Sequence, residues 1–429
     1  MVNLQNGEHP MAGTFLELAD AIENRNDATE LSVDAAFLAD ALGLSSGDEN
    51  LQLSNVANLP ALLKIAAKVK DFSAIQCLPA PNANLFIAQV DPAGFGFEGK
   101  LANRASVAGC SESTLSAFCA CMAEAAEYLS QLTRQGDDVE IAGSSAQNND
   151  EFLQATDAQT EVFSYRTGQH ETVPSYRIFV TKNTDESRRI SSGCAAGRTY
   201  DVAFENAVLE LIERDAITRW WHEEQTARRI SSEIIAQLGT ANLVKTLRGN
   251  ALGRSYALFD IRSTVDIPVI ASISFDAHGR NFAGGYSAAM DIRLAMEKAV
   301  HEMIQMEMGL IIAKAKEQKY GAENLNQADL RQKLRAVHLS PEHQKLDVES
   351  LEVFTERKRS GSQSSVPPTT HFFDVDLAAL NIMVKDLTRP DLEVPVAKAF
   401  SETLRILPPD STLTWQDIRQ KPTFIIPLF

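Results

Sequence analysis

Four glutamates carry the first sign of chemistry in this chain. Glu210 and Glu213 stand three residues apart in ELIERDA, and Glu124 and Glu127 stand three residues apart in EAAE. On a helix that spacing puts each pair on one face, where like charges cost roughly 0.2–0.5 kcal/mol unless a cation, an arginine or a metal lies between them. Arg214 follows Glu213 directly and is expected to point elsewhere. Ahead of the second pair runs SSGCAAG, Ser191 to Gly197. Its two glycines suit a turn in which backbone must approach another group closely.

The elements that must hold these residues follow from periodicity. Leu209, Ile212, Ala216 and Trp220 recur as one buried helical stripe, with Asn206, Glu210, Glu213 and Ile217 on the neighbouring face. Leu115, Phe118, Met122, Ala125 and Leu129 predict a second helix that opens near Ser113 or Thr114. A third long helix is expected after a glycine turn within Gly284 to Lys316, with His301 on its surface or in packing. Residues 11–72 read as three helices, around Phe15 to Ile22, Ala35 to Leu42 and Leu59 to Val69. Strands are expected over 75–90, 176–181 and 256–275, and in HFFDVDL and NIMVKDLT, which makes the class mixed α/β (α+β). The division expected is an N-terminal helical extension, 1–74, before one domain, 75–429. Polar insertions fall near 134–160 and 319–370, the second ending in the spacer SGSQSSVPPTT.

The pattern Ser-x-Gly-x-Ala-x-Gly-x-Thr from Ser191 to Thr199, followed by Glu-x-x-Glu-Arg-Asp-Ala at Glu210 to Ala216, resembles the second nucleotide-binding segment of the YcaO superfamily. The helix with Glu124 and Glu127 resembles its first segment, Ser-x-x-Glu-x-x-Glu, with Cys121 in the serine position and Tyr128 where arginine often follows. Glu302 and Gln305 match the Ala-Leu-x-Glu-x-x-Gln element, and the resemblance resumes at Lys385 to Asp391 and at Val394 to Val396. It implies a YcaO-like fold and the azoline-forming cyclodehydratase subunit of a peptide synthetase, with ATP and Mg²⁺ as cofactors. In such an enzyme a Cys, Ser or Thr side chain of a ribosomal precursor peptide attacks the preceding carbonyl. The oxyanion then takes the γ-phosphoryl group, and loss of phosphate leaves the ring. Carried over by position, Ala195, Arg198, Asn206, Glu210, Arg214, Glu302 and Gln305 would contact the nucleotide, and Glu124, Glu127, Glu210 and Glu213 the metal. Amides around Gly193 to Gly197 and the Arg214 guanidinium would hold phosphates in place of a Walker loop. Pro427 and Phe429, in the tail KPTFIIPLF, would lie close to the acidic cavity and serve catalysis.

Departures from the pattern matter too. Val202 and Asn206 stand where better-known members carry a glutamate and a glutamine, and Arg198 where asparagine is common. Thioamidation with sulfide, or a non-catalytic subunit that binds precursor peptide or partner enzymes, are therefore the alternatives. A di-iron carboxylate protein is discounted because its Glu-x-x-His is absent. Expected partners are the precursor peptide, a separate leader-binding E1-like protein and a flavin dehydrogenase, within an oligomer or multi-subunit synthetase. The net charge of −17 disfavours nucleic acid and anionic membranes. Five cysteines without zinc spacing fit reduced thiols, and no segment of 18 apolar residues occurs, so a soluble cytoplasmic protein is expected.

Overall fold

The computed structural model of the chain describes residues 10–23, 31–44, 58–97, 104–133, 140–141, 158–179, 192–221, 227–251, 253–263, 265–322 and 372–406, with the single positions Leu325 and Lys333. Helices α1 (Ala12–Glu23), α2 (Val33–Ala41) and α3 (Leu59–Lys68) lead into an antiparallel sheet of β1 (Asp71–Cys77), β2 (Ala80–Val90) and β3 (Ala105–Ser111), followed by α4 (Thr114–Ser130). A second sheet runs in the order β4 (Glu140–Ile141), β5 (Ala158–Ser164), β12 (Ile382–Asp386), β13 (Val396–Ser401) and β7 (Cys194–Ala196), with β6 (Gln169–Pro174) also on β5. Helix α5 (Tyr200–Trp221) follows β7. The third sheet, in the order β11 (Ala283–Ala288), β10 (Val269–Asp276), β9 (Arg254–Asp260) and β8 (Arg228–Arg229), is interrupted in sequence by α6 (Ser232–Gln237) and α7 (Thr240–Arg248) and leads into α8 (Ile292–Tyr320). The pairings are antiparallel throughout, so the fold is of the α+β type.

Three long helices separate the three sheets. Helix α4 packs between β2–β3 and β7, α5 between the second and third sheets, and α8 between β10–β11 and β2–β3, which closes a ring. Strand period decides which helix each face meets. Val269, Ala271, Ile273 and Phe275 of β10 share a core with α5, whereas Ile270 shares one with α8. Because α5 has a sheet on two sides, Ala203, Ala207, Val208, Leu211, Ile212, Ala216 and Ile217 are all fully buried. Polar residues fix where the helices begin: Ser113 accepts from Ser116 N–H, Thr199 Oγ1 from Val202 N–H and Asp291 from Arg293 N–H.

Several local expectations differ. The glycines before the third long helix, Gly284 and Gly285, belong to strand β11 rather than to a turn. Phe372–Asp374 in HFFDVDL is a turn of 3₁₀ helix, as is Ser175–Arg177, because neither segment finds a strand partner. Strand β1 begins at Asp71, and α1–α3 share one core with α4 and the first sheet. Most of 134–160 and all of 326–370 except Lys333 lie outside the described residues.

Helix and sheet approach so closely at two equivalent places that only glycine fits. A Cβ on Gly109 of β3 would sit 2.3 Å from Ala117 O of α4, and one on Gly285 of β11 would sit 2.1 Å from Ala299 O of α8. We expect Gly285→Ala to lower stability by about 1–3 kcal/mol in urea unfolding, because backbone must move to admit the methyl. Gly13→Ala on the exposed face of α1, where the new methyl meets nothing within 4 Å, should instead gain up to about 1 kcal/mol.

Candidate functional site

The ring brings together acids that lie almost 180 residues apart in sequence. Glu124 and Glu127 come from α4, Glu210 and Glu213 from α5, and Glu302 from α8. They are close enough to perturb one another: Glu124 feels Glu302 and Glu210, Glu127 feels Glu210 and Glu124, and Glu213 feels Glu302 and Glu210. Each carboxylate accepts from a backbone N–H of a strand, or of the residue before one, that borders the hub. Ala108 N–H donates to Glu124 Oε2 at 2.8 Å, Ala196 N–H to Glu127 Oε1 at 2.7 Å, Gly193 N–H to Glu210 Oε2 at 2.9 Å and Tyr286 N–H to Glu302 Oε2 at 3.0 Å, while Glu213 takes the N–H of Ala288.

Arg214 does not point elsewhere. Its guanidinium donates to Glu213 Oε1 at 2.8 Å and to Glu210 Oε1 at 3.2 Å. Its side chain is long enough to fold back one helical turn, and the acid pair is the nearest opposite charge in a half-buried setting. The glycine-segment amides expected to hold phosphates are likewise engaged: Gly193 and Ala196 cap glutamates, and Gly197 N–H donates to Pro395 O. Asn206 donates from Nδ2 to Ala196 O at 3.1 Å, which ties β7 to α5. Ala195 is buried in β7 opposite Ala397, Arg198 is exposed between β7 and α5, and Gln305 is half-exposed about one turn after Glu302. His301 pairs with Glu112 at 2.5 Å on the rim. Pro427 and Phe429 lie outside the described residues. Sequence reasoning missed Lys398, which is fully buried beside Cys194 and Glu210; its signal was a lone charge in the apolar strand VAKAF.

Water reaches this hub: the Glu124 side chain is exposed, and Glu127, Glu210, Arg214 and Glu302 are half-exposed. Surrounding protein still removes much of their hydration, so burial pushes Glu124, Glu127, Glu213 and Glu302 above the usual carboxylate range, and like-charged neighbours add to the rise. Among the described residues no three His, Cys, Asp or Glu side chains are already gathered about one point in the manner of a metal centre. The donor set nevertheless fits a hard divalent cation. It consists of carboxylate oxygens, with five acids against Arg214 and Lys398 inside the hub and Lys298 near Glu302.

The raised acids set the sign of a pH effect. A carboxyl whose folded pKa exceeds its unfolded value of about 4.5 binds more protons in the folded state, so stability falls as pH rises between those two values. We expect urea unfolding of the ligand-free protein to show greater stability at pH 5.5 than at pH 8. Glu213→Gln should flatten the slope.

Residues 108–405 match the family model described as YcaO cyclodehydratase, ATP- and Mg²⁺-binding. No curated protein matches the sequence significantly. Solved structures similar in fold include a heterocyclase in complex with substrate and cofactor (TM-score 0.58, 18% identity, 82% of this chain and 52% of that one). They also include the YcaO of Methanopyrus kandleri bound with AMPPCP and Mg²⁺ (0.56, 15%, 82% and 90%) and the E. coli microcin synthetase McbBCD complex (0.55, 14%, 83% and 96%). The chain thus spans about half the length of the heterocyclase. With a family model covering 298 of 429 residues and the acids of three helices meeting in one hub, the chain belongs to the YcaO family.

Proposed function

We propose that this YcaO chain is an ATP-dependent peptide cyclodehydratase that converts Cys, Ser or Thr residues of a ribosomally made precursor into thiazolines or oxazolines. One observation carries the reading: a solvent-open hub in which Glu124, Glu127, Glu210, Glu213 and Glu302 converge and Arg214 pairs with Glu210 and Glu213. In this reading Glu124, Glu127, Glu210 and Glu213 hold Mg²⁺, and Ala195, Arg198, Asn206, Glu210, Arg214, Glu302 and Gln305 surround ATP. When bound, the nucleotide supplies the phosphoryl group that makes the amide oxygen of the substrate a leaving group.

The chain's own residues contribute position and charge. Arg214, held by two carboxylates at 2.8 and 3.2 Å, presents a fixed guanidinium to phosphate. Strand β7 is fixed to α4 through Glu127 and to α5 through Asn206, so the substrate amide meets a pre-ordered wall. Pro427 and Phe429 are proposed to complete the site from the tail. Delivery of the peptide is assigned to a separate leader-binding E1-like protein, with a flavin dehydrogenase following. Support for a multi-subunit assembly is that one fold relative is a synthetase complex, also known with pro-MccB17 bound.

A non-catalytic subunit is the second reading, favoured by Val202. It places an apolar, half-buried side chain in the first turn of α5, where it supplies no ligand. Calorimetry separates the two: Mg²⁺·ATP should bind the wild type, and Glu213→Ala should weaken binding at least about tenfold. Equal affinity in both would favour the non-catalytic subunit. Mass spectrometry of the precursor with ATP, Mg²⁺ and partner proteins should show a loss of about 18 Da per ring with phosphate released in step. A gain of about 16 Da that requires sulfide would identify thioamidation instead.

A further inference from the structure

Lys398 is the lysine among the described residues that has no exposed surface. It stands in β13 between Ala397 and Ala399, both of which pack in the core with α5, so its side chain leaves the strand on the opposite face, toward α4. Its Nζ donates to the carbonyl oxygen of Ser192 at 2.7 Å. That carbonyl and the N–H of Gly193 belong to one planar peptide group, and the N–H donates to Glu210 Oε2 at 2.9 Å. The other oxygen of Glu210 takes Arg214 at 3.2 Å. A continuous line of donors and acceptors therefore runs from Lys398 through the Ser192–Gly193 peptide to Glu210 and Arg214.

The same strand fixes the next peptide as well. Gly193 O accepts from Ala399 N–H at 2.7 Å, Gly193 has φ +80°, and a Cβ there would lie 2.3 Å from Ala399 O. The segment is thus held by Lys398 and by its neighbour Ala399. A buried amino group costs far more hydration than an apolar side chain of equal length, so filling space does not explain a lysine at this place.

We propose that Lys398 is a positioning residue of the hub, whose Nζ fixes the Ser192–Gly193 peptide so that its N–H holds Glu210 in the orientation it needs toward Mg²⁺·ATP. The proposal rests on reading the hub as a nucleotide site, and it deepens that reading. Lys398→Met keeps length and burial but removes the donors, whereas Lys398→Arg keeps donors. In isotopically labelled protein, hydrogen exchange of the Gly193 amide, assigned by sequential backbone triple-resonance spectra, reads the peptide directly and needs no ligand. We expect exchange to rise about tenfold in Lys398→Met, and to return toward the wild-type rate in Lys398→Arg. Melting temperature should be retained or raised in Lys398→Met, because a buried polar group gives way to an apolar one. Calorimetry should show Mg²⁺·ATP affinity down about tenfold in Lys398→Met and largely restored in Lys398→Arg. If Lys398→Met does not fold, Lys398→Leu, which also removes the donors and stays apolar, is read in the same way. Unchanged Gly193 exchange in the variant overturns the proposal. Changed exchange with no Mg²⁺·ATP binding by the wild type leaves Glu210 positioned by Lys398 and defeats the nucleotide reading instead. Loss of affinity together with lost stability in both variants would mark Lys398 as merely structural.

Discussion

All three sheets meet the hub by an edge strand, and an edge strand brings backbone N–H groups that have no ladder partner. Leaving such groups unpaired in a partly desolvated place costs about 1–3 kcal/mol each. Here β3, β7 and β11 turn those amides toward α4, α5 and α8, and each helix answers with glutamate. The acids that look like a liability on their helices are thus the acceptors that allow three sheet edges to converge. Ring architecture and acidic centre are two sides of one constraint.

That constraint explains the charge state of the centre. Each carboxylate gains one strong N–H donor, which favours its ionised form, yet burial and mutual repulsion work against ionisation and win at Glu124, Glu127, Glu213 and Glu302. Arg214 offsets only part of the charge, at the α5 pair. In the proposed reading, a centre held in this tension is relieved by a cation that brings its own anionic ligand, such as Mg²⁺ with a nucleotide. The close fit at Gly109, Gly193 and Gly285 keeps helices and strand edges at the separation this arrangement needs.

The remaining buried ions serve the frame. Glu307, five residues beyond Glu302 on α8, joins Arg248 of α7 and Arg254 of β9, with Ser274 of β10 donating to it. Asp215 accepts the Arg219 Nε–H at both carboxylate oxygens and the Arg405 N–H at one, which ties the segment after β13 to α5. Both clusters hold long-range neighbours of the acidic helices in register without facing the open hub.

The chain alone determined the helices and their acids. Periodicity at Leu209, Ile212, Ala216 and Trp220 and at Phe118, Met122, Ala125 and Leu129 placed Glu210–Glu213 and Glu124–Glu127 on definite helix faces, because helical spacing is a local property. The glycines at 193 and 197 signalled close approach, and the approach occurs. Only tertiary structure decided what the acids meet. Which strand edge faces which carboxylate depends on pairings between residues such as Lys398 and Cys194, over 200 positions apart, and no local spacing encodes that. For the same reason Arg214 could not be aimed from its place beside Glu213: its direction is set by the sheets that enclose α5 and by the hydration they remove. Lys398 was illegible because a charge inside an apolar strand becomes meaningful only once the peptide it touches is known to carry Glu210 on its other side.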